Sequence, residues 1–299
     1  MVSWFNNKLE KSSLRKHTMQ HLQPTSAGFA RKLSITNWII VVNCIVYLLY
    51  LILAVAGYSE QQLLTIFALQ ANALFAGAFW TILTSMFAHI WLPHLFFNMI
   101  SLFFVGNLLE KIIGRKKFFY FYLGAGIFAA LFYATLSFYF GTTLLGAKIV
   151  VAPTQYAVGA SGAIFGIAGL LAILTPYMRV YLVIGPIIAI VLQSMISTTT
   201  SNNSLIPLVN LFLTAYIFFA IFTMFSFNPT LRKISIPVGM PFYMLPIIAI
   251  VPLVIIGIFI DLPIGNTAHL GGLIAGLIYG IYLKKRYKRK TALISRYFQ

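Results

Sequence analysis

Residues 118–140 read FFYFYLGAGIFAALFYATLSFYF, an uncharged apolar run of 23 residues preceded by Arg115-Lys116-Lys117. A run of this length crosses the hydrocarbon core of a bilayer as a helix, which takes about 20 residues. Comparable stretches lie at about 36–56, 93–110, 158–175, 180–197, 206–227, 241–260 and 266–283. The chain therefore reads as all-α, a polytopic transmembrane helix bundle with about eight spans. Composition agrees: hydrophobic residues make up 60% of the chain and charged residues only 8%, against roughly 25% charged in a soluble domain. No soluble fold of this length could hide so much apolar surface.

The formal charge of +17 invites a nucleic-acid reading, but the distribution of charge argues against it. Basic residues cluster at 8–32, 111–117, 232–233 and 284–290, each beside an apolar span. That is the pattern of cytoplasmic loops, with an added attraction to anionic lipid of the bilayer. Placing the N-terminus inside and alternating through the spans puts nearly every basic residue on the inner side, so both termini lie inside. The span at 180–197 is short and carries Gly185 and Pro186; it is retained because removing it breaks the charge alternation. The interval 57–92, broken by Gly57 and Gly77, reads as a long, partly helical interfacial loop. Its Trp80 and Trp91 suit the headgroup level.

Three regions follow: a basic cytoplasmic arm at 1–35, a membrane domain at 36–283 and a basic cytoplasmic tail at 284–299. The arm is too long, polar and basic to open a signal peptide. No organelle-targeting presequence stands out, which points to a multi-pass protein of the cell membrane. Cys44 is the lone cysteine, so no intrachain disulfide forms. The sequence assigns no oligomeric state.

Acidic residues number four, at Glu10, Glu60, Glu110 and Asp261, and histidines five, at 17, 21, 89, 94 and 269. A paired-carboxylate protease needs two acids facing each other within the membrane, and none are there. No histidine precedes a glutamate, which removes the HExxH zinc motif. His89 and His94 are five apart, about 140° around a helix, and cannot face one metal from one regular helix.

What remains is Ser161, in Gly159-Ala160-Ser161-Gly162-Ala163-Ile164-Phe165-Gly166. Small neighbours leave its hydroxyl uncovered and let another helix approach. Alone, the segment is more simply a helix-start serine followed by a packing motif. His269 changes the balance. It lies one turn into the last span, in Ala268-His269-Leu270-Gly271-Gly272, with Gly276 and Gly280 continuing a helix-contact stripe. Histidine in a membrane helix is costly and is by default a functional candidate, against the plainer reading of a core histidine bonded to a carbonyl.

Both residues sit near the N-terminal ends of their spans, and the three spans between them make those helices parallel. They therefore share one depth near the outer face, where a neutral imidazole could take the hydroxyl proton. Asp261 lies eight residues before His269, about 12 Å away along a helix, and Glu110 falls at the opposite face. The expectation is a dyad, its imidazole held by packing on Phe165. At the start of the second span Pro93 fits a first helical turn, and His94 and Asn98 share one face at i, i+4. Two such donors suit a developing oxyanion together with the Ser161 amide; they equally serve as interhelical glue.

These residues resemble the rhomboid family of intramembrane serine proteases over roughly 36–175 and 262–283. The resemblance rests on three blocks: His89…His94-x-x-x-Asn98, Gly159-Ala160-Ser161-Gly162-x-x-Phe165-Gly166, and Ala268-His269-x-Gly271-Gly272-x-x-x-Gly276. Glu110-x-x-x-Gly114 also looks like the family pattern. The resemblance implies Ser161 as nucleophile, His269 as general base, and Asn98 and His94 at the oxyanion site, supported by His89, Phe165, Gly159, Gly162, Gly272 and Glu110. It implies transmembrane protein substrates cut near the outer end of their helix, with no metal or soluble cofactor. Two departures stand out. Trp80-Thr81 replaces a frequent Trp-Arg, and 108 residues separate Ser161 from His269. A six-helix core needs only one span in that interval, so two additional spans are expected within 176–260. The alternative is a catalytically silent relative that binds membrane clients; such relatives typically lack the serine or the histidine, and this chain keeps both.

Overall fold

The computed structural model describes residues 33–143, 150–199, 205–224, 229–259 and 265–298. Most of the basic arm, and Asp261, lie outside the described residues. In chain order, α1 (Ile35–Val55) is followed by α2 (Glu60–Phe67), β1 (Leu69–Gln70), α3 (Ala71–Phe75) and α4 (Thr81–Thr84). Then come α5 (Leu92–Ser101), α6 (Asn107–Ile113), α7 (Arg115–Phe140), β2 (Tyr156–Ala157) and α8 (Ser161–Leu174). The remainder is β3 (Arg179–Val183), α9 (Ile184–Thr199), α10 (Ile206–Met224), α11 (Pro229–Arg232), β4 (Pro237–Pro241), α12 (Met244–Phe259), α13 (Asn266–Arg286) and α14 (Lys288–Tyr297).

The architecture is helical, with two antiparallel two-stranded ladders, β1–β2 and β3–β4, among the described residues. Three helical stretches are long and apolar enough to cross a membrane: Ile35–Val55, Leu92–Ile113 and Arg115–Phe140. Ser161–Leu174, Ile184–Gln193 and Ile206–Ala220 are apolar but shorter. The surface inverts that of a soluble protein. Ile52, Phe212 and Phe222 are 64%, 67% and 71% exposed, the outward side of helices solvated by lipid. This is an integral membrane protein.

Local chemistry explains the element boundaries. Ser34 caps α1, its hydroxyl accepting from the Asn37 amide at 3.1 Å. The Glu110 carboxylate adds a second cap from across the bundle, accepting from the Ile35 and Thr36 amides at 2.9 and 2.8 Å. A carboxylate at a helix N-terminus satisfies donors the helix leaves unpaired and opposes its positive end. Pro93 occupies the first turn of α5, as expected. A π-helical turn, Leu102–Gly106, carries α5 into α6. There Gly106 packs so tightly on Thr36 that an added Cβ would stand 2.7 Å from its methyl group. Gly114, at φ +85°, turns the chain into α7.

α8 is the central helix. Ile167, Leu170 and Leu171 are fully buried, as expected of a helix apolar on every side. Its glycines admit both neighbours: added Cβ atoms at Gly162 and Gly166 would lie 2.8 and 2.7 Å from the Ala129 and Ala125 methyls of α7. On the other side Gly272 and Gly276 of α13 meet the Gly162 and Gly166 carbonyl oxygens. These contacts advance in the same direction along α8 and α13, so the two run parallel, whereas α7 runs antiparallel to both.

One expected element changes character. Residues 180–197 do not begin as helix: Arg179–Val183 forms β3, paired with Pro241–Pro237 of β4, and α9 starts at Ile184. β-branched and aromatic residues at 180–183 favour strand. Pro186 then falls within the first turn of α9, where its missing donor is harmless. The interval 57–92 is partly helical, as its composition suggests, and its three short helices are separated by Gly77 and the β1 strand.

Candidate active site

The site is assembled at the N-terminal ends of α8 and α13. Gly159, two residues before α8, adopts φ +122°, a conformation that L side chains avoid. Its amide donates to the Ser85 carbonyl at 2.8 Å, pinning the chain as it turns into the helix. Space imposes a second requirement: a Cβ at Gly159 would stand 2.7 Å from His94 Cε1 and 2.9 Å from His94 Nε2.

Ser161 is the first residue of α8, and His269 lies in the first turn of α13. His269 Nε2 is 2.8 Å from Ser161 Oγ. The imidazole stacks on the Phe165 ring, with centroids 4.4 Å apart and planes inclined by 20°. Phe165 is one turn beyond Ser161, so one helix supplies both the hydroxyl and the platform. Nδ1 of His269 is buried and has no hydrogen-bond partner among the described residues. Glu110 is engaged at the start of α1, with Arg115 3.9 Å away; it orders the opposite end of the bundle. No carboxylate among the described residues contacts the imidazole, and the arrangement on the page is a pair.

His94 and Asn98 lie one turn apart on α5 and face the Gly159 backbone. Asn98 is buried, and its Nδ2 is 3.7 Å from the Cβ position of Gly159 while donating to the His94 carbonyl at 2.9 Å. His89 packs beneath, 1% exposed, its ring edge-on to His94 at 5.0 Å. Gly162 and Gly272 act at helix interfaces: a side chain at Gly162 would collide with Ala129 of α7, and one at Gly272 would push α13 away from the Gly162 carbonyl of α8. Among the described residues, no three His, Cys, Asp or Glu side chains gather to hold a metal ion.

Several contributors carry no signature in the sequence. The loop leading to Ser161 is tied down by Tyr133, whose hydroxyl donates to the Gln155 carbonyl at 3.2 Å. The Asn72 amide donates to Pro153 at 3.2 Å, and Gln70 Nε2 to Thr154 at 2.8 Å. The β1–β2 ladder pairs Leu69 with Ala157 and Gln70 with Tyr156. The interval 57–91 thus serves as a clamp on the serine loop. Gln70 and Ser85 look ordinary in sequence because their partners are backbone atoms far along the chain.

Comparison with known proteins adds an independent line. The chain matches the Rhomboid domain over residues 76–211 and 213–286. It is 35% identical over 116 residues to "Rhomboid protease GluP" of Bacillus subtilis, covering 38% of this chain and 20% of that protein. It is 32% identical over 140 residues to "Rhomboid protease AarA" of Providencia stuartii, covering 46% and 49%. It is also 32% identical over 107 residues to "Rhomboid protein 1, mitochondrial" of Saccharomyces cerevisiae, covering 36% and 28%. The chain thus spans between a fifth and a half of the length of these relatives.

Proposed function

The chain belongs to the rhomboid family, and on that premise we propose that it is an intramembrane serine endopeptidase cutting transmembrane proteins with a Ser161–His269 dyad. The observation that carries this reading is the 2.8 Å contact between His269 Nε2 and Ser161 Oγ. With its proton on Nδ1, the neutral imidazole accepts from the hydroxyl and removes that proton as Oγ attacks the scissile carbonyl. The imidazolium then gives the proton to the departing amine. Water, deprotonated by the same nitrogen, releases the acyl group from Ser161.

Stacking on Phe165 takes the orienting role that a carboxylate holds in a triad, and the face of the ring favours the transient positive charge. His94, the Asn98 amide and the first-turn amides of α8 receive the oxyanion; helix-terminal N–H groups have no internal partners and carry positive potential. Both termini lie on the cytoplasmic side in this reading. The dyad, at the N-terminal ends of its two helices, is then near the outer face, where water for the second step is at hand. Substrates unwind there, so small residues near the outer end of their helix favour cleavage.

The test is reconstitution of the full chain and a Ser161→Ala variant with a labelled transmembrane substrate bearing small residues near its outer end. Mass spectrometry of the products should show one cleavage site with the full chain and none with the variant. Equal cleavage by both would remove Ser161 from its role. If neither cleaves, an active-site serine probe that fails to label the full chain would point to a client-binding protein instead.

A further inference from the structure

The last turn of α13 carries Lys284, Lys285 and Arg286, and α14 continues after Tyr287 with Lys288, Arg289, Lys290 and Arg296. Lys284 is 15 residues beyond His269, about 22 Å along the helix at 1.5 Å per residue, so this region is separate from the dyad. α14 packs back against α8. Between α14, α8 and the end of α13 lies a cavity of about 640 Å³, rimmed by Lys284, Lys285, Lys288 and Arg296. Its apolar wall is formed by Ile173 of α8 and Ile281 of α13.

Lys284, Lys285, Lys288 and Arg296 are exposed, and among the described residues none of them pairs with a carboxylate. The chain contains four acidic residues, and the one ion pair among the described residues is Arg115–Glu110. Glu110 already serves the α1 amides, and Glu60 opens α2, beside the serine loop at the other end of the bundle. With neither Glu60 nor Glu110 facing them, these cations are open to an anion from outside the protein. Two features say what kind. The cations meet an apolar wall, so the ligand joins a negative head to a hydrocarbon body. In addition, α14 exposes Leu293 and Tyr297, at 66% and 83%, beside its basic residues, the composition of a helix lying in the headgroup plane.

We propose that this cavity binds the phosphate headgroup of an anionic phospholipid. Lys284, Lys285, Lys288 and Arg296 surround the phosphate, and Ile173 and Ile281 line the first acyl carbons. The site sits at the membrane face opposite the dyad and does not depend on the protein being a protease. An open cavity with four cations at its rim and an apolar wall distinguishes it from the diffuse attraction that any basic loop has for an anionic leaflet.

The test is native mass spectrometry of the full chain in detergent, offered phosphatidylglycerol and phosphatidylcholine with matched acyl chains. The expected result is a single retained phosphatidylglycerol, favoured about tenfold or more, with the preference lost in a Lys284→Gln/Lys288→Gln/Arg296→Gln variant. A Lys111→Gln/Lys116→Gln/Lys233→Gln variant, of equal charge loss, should keep the preference. If it loses it to the same degree, the attraction is net charge and the site is overturned. Excess inorganic phosphate that displaces the lipid would overturn the lipid assignment in favour of a free anion, and displacement by a DNA oligonucleotide would do so in favour of nucleic acid. Because the glutamine variant could misfold, phosphatidylglycerol with a photoreactive acyl chain should be cross-linked to the unaltered protein. Labelling at Ile173 or Ile281 is expected; labelling only elsewhere sinks the proposal.

Discussion

Where α8 meets α13, glycine faces backbone: Gly272 and Gly276 rest on the carbonyls of Gly162 and Gly166. Where α9 and α10 meet α5, side chains do the packing, with Ala189 and Ile217 against Phe96, Phe97 and Ile100. The first contact sets Ser161 Oγ and His269 Nε2 2.8 Å apart through main-chain packing. The second joins larger, deformable groups, supplemented by Gln193 donating across the pair to the Asn210 carbonyl at 2.9 Å. In lipid, helices gain little by hiding apolar surface from a solvent that is itself apolar, so close van der Waals contact decides the strength of association. Geometry that must hold to a fraction of an ångström is therefore built where backbones touch. Helices joined through long side chains tolerate sequence change.

If this contrast is right, substitutions should rank in a definite order. His269→Ala should lower peptide-bond cleavage by about 10⁴-fold or more, and adding Ser161→Ala should cost little further, because the pair acts as a unit. Steady-state kinetics on one reconstituted substrate checks both, and an additive double variant would break the dyad. Asn98→Ala should reduce kcat by about 10²–10³-fold with a smaller change in KM, as loss of one oxyanion donor does. A change confined to KM would assign Asn98 to substrate binding.

Gly272→Ala probes the backbone contact itself. Its methyl group would collide with the Gly162 carbonyl, and overpacking of this kind costs about 1–3 kcal/mol. Thermal unfolding in detergent should show the loss, and activity should fall with it because the collision separates α8 from α13. Ile217→Ala, on the side-chain-packed pair, should cost only about 1–2 kcal/mol, since lipid can fill the gap that a soluble core would leave empty. Its cleavage rate should stay within about threefold of the parent. A larger loss of activity from Ile217→Ala than from Gly272→Ala would reverse the comparison and make α9–α10 part of the working site.

The Glu110 carboxylate sharpens the picture from the opposite end. Glu110→Gln keeps a hydrogen-bonding group but removes the charge from the α1 cap, so about 1 kcal/mol of stability should go. Hydrogen exchange at the Ile35 and Thr36 amides should rise, while the dyad at the far end keeps its distance. Unchanged exchange would mean that Ser34 alone caps α1.

Much of this was legible in the sequence for a physical reason. Crossing a bilayer demands uninterrupted apolar runs, so the helical, membrane-embedded character shows in the sequence, while three of the expected spans reach full crossing length among the described residues. Polar groups inside such runs are costly enough that Ser161, His269, His94 and Asn98 stand out from a nearly silent background. Stripes such as Gly272, Gly276 and Gly280 likewise reveal a close helix contact, because little else accounts for glycine at helical spacing. The tertiary structure decided what depends on partners distant in the chain. The start of the stretch at 180–197 became a strand because Pro237–Pro241 lies beside it. Ser85 and Gln70 clamp the serine loop through hydrogen bonds with backbone groups that any residue could offer. Sequence by itself determined which residues are chemically expensive and that the chain is built of apolar helices. Only packing decided which of them meet, since a contact between main-chain atoms leaves no side-chain identity to read.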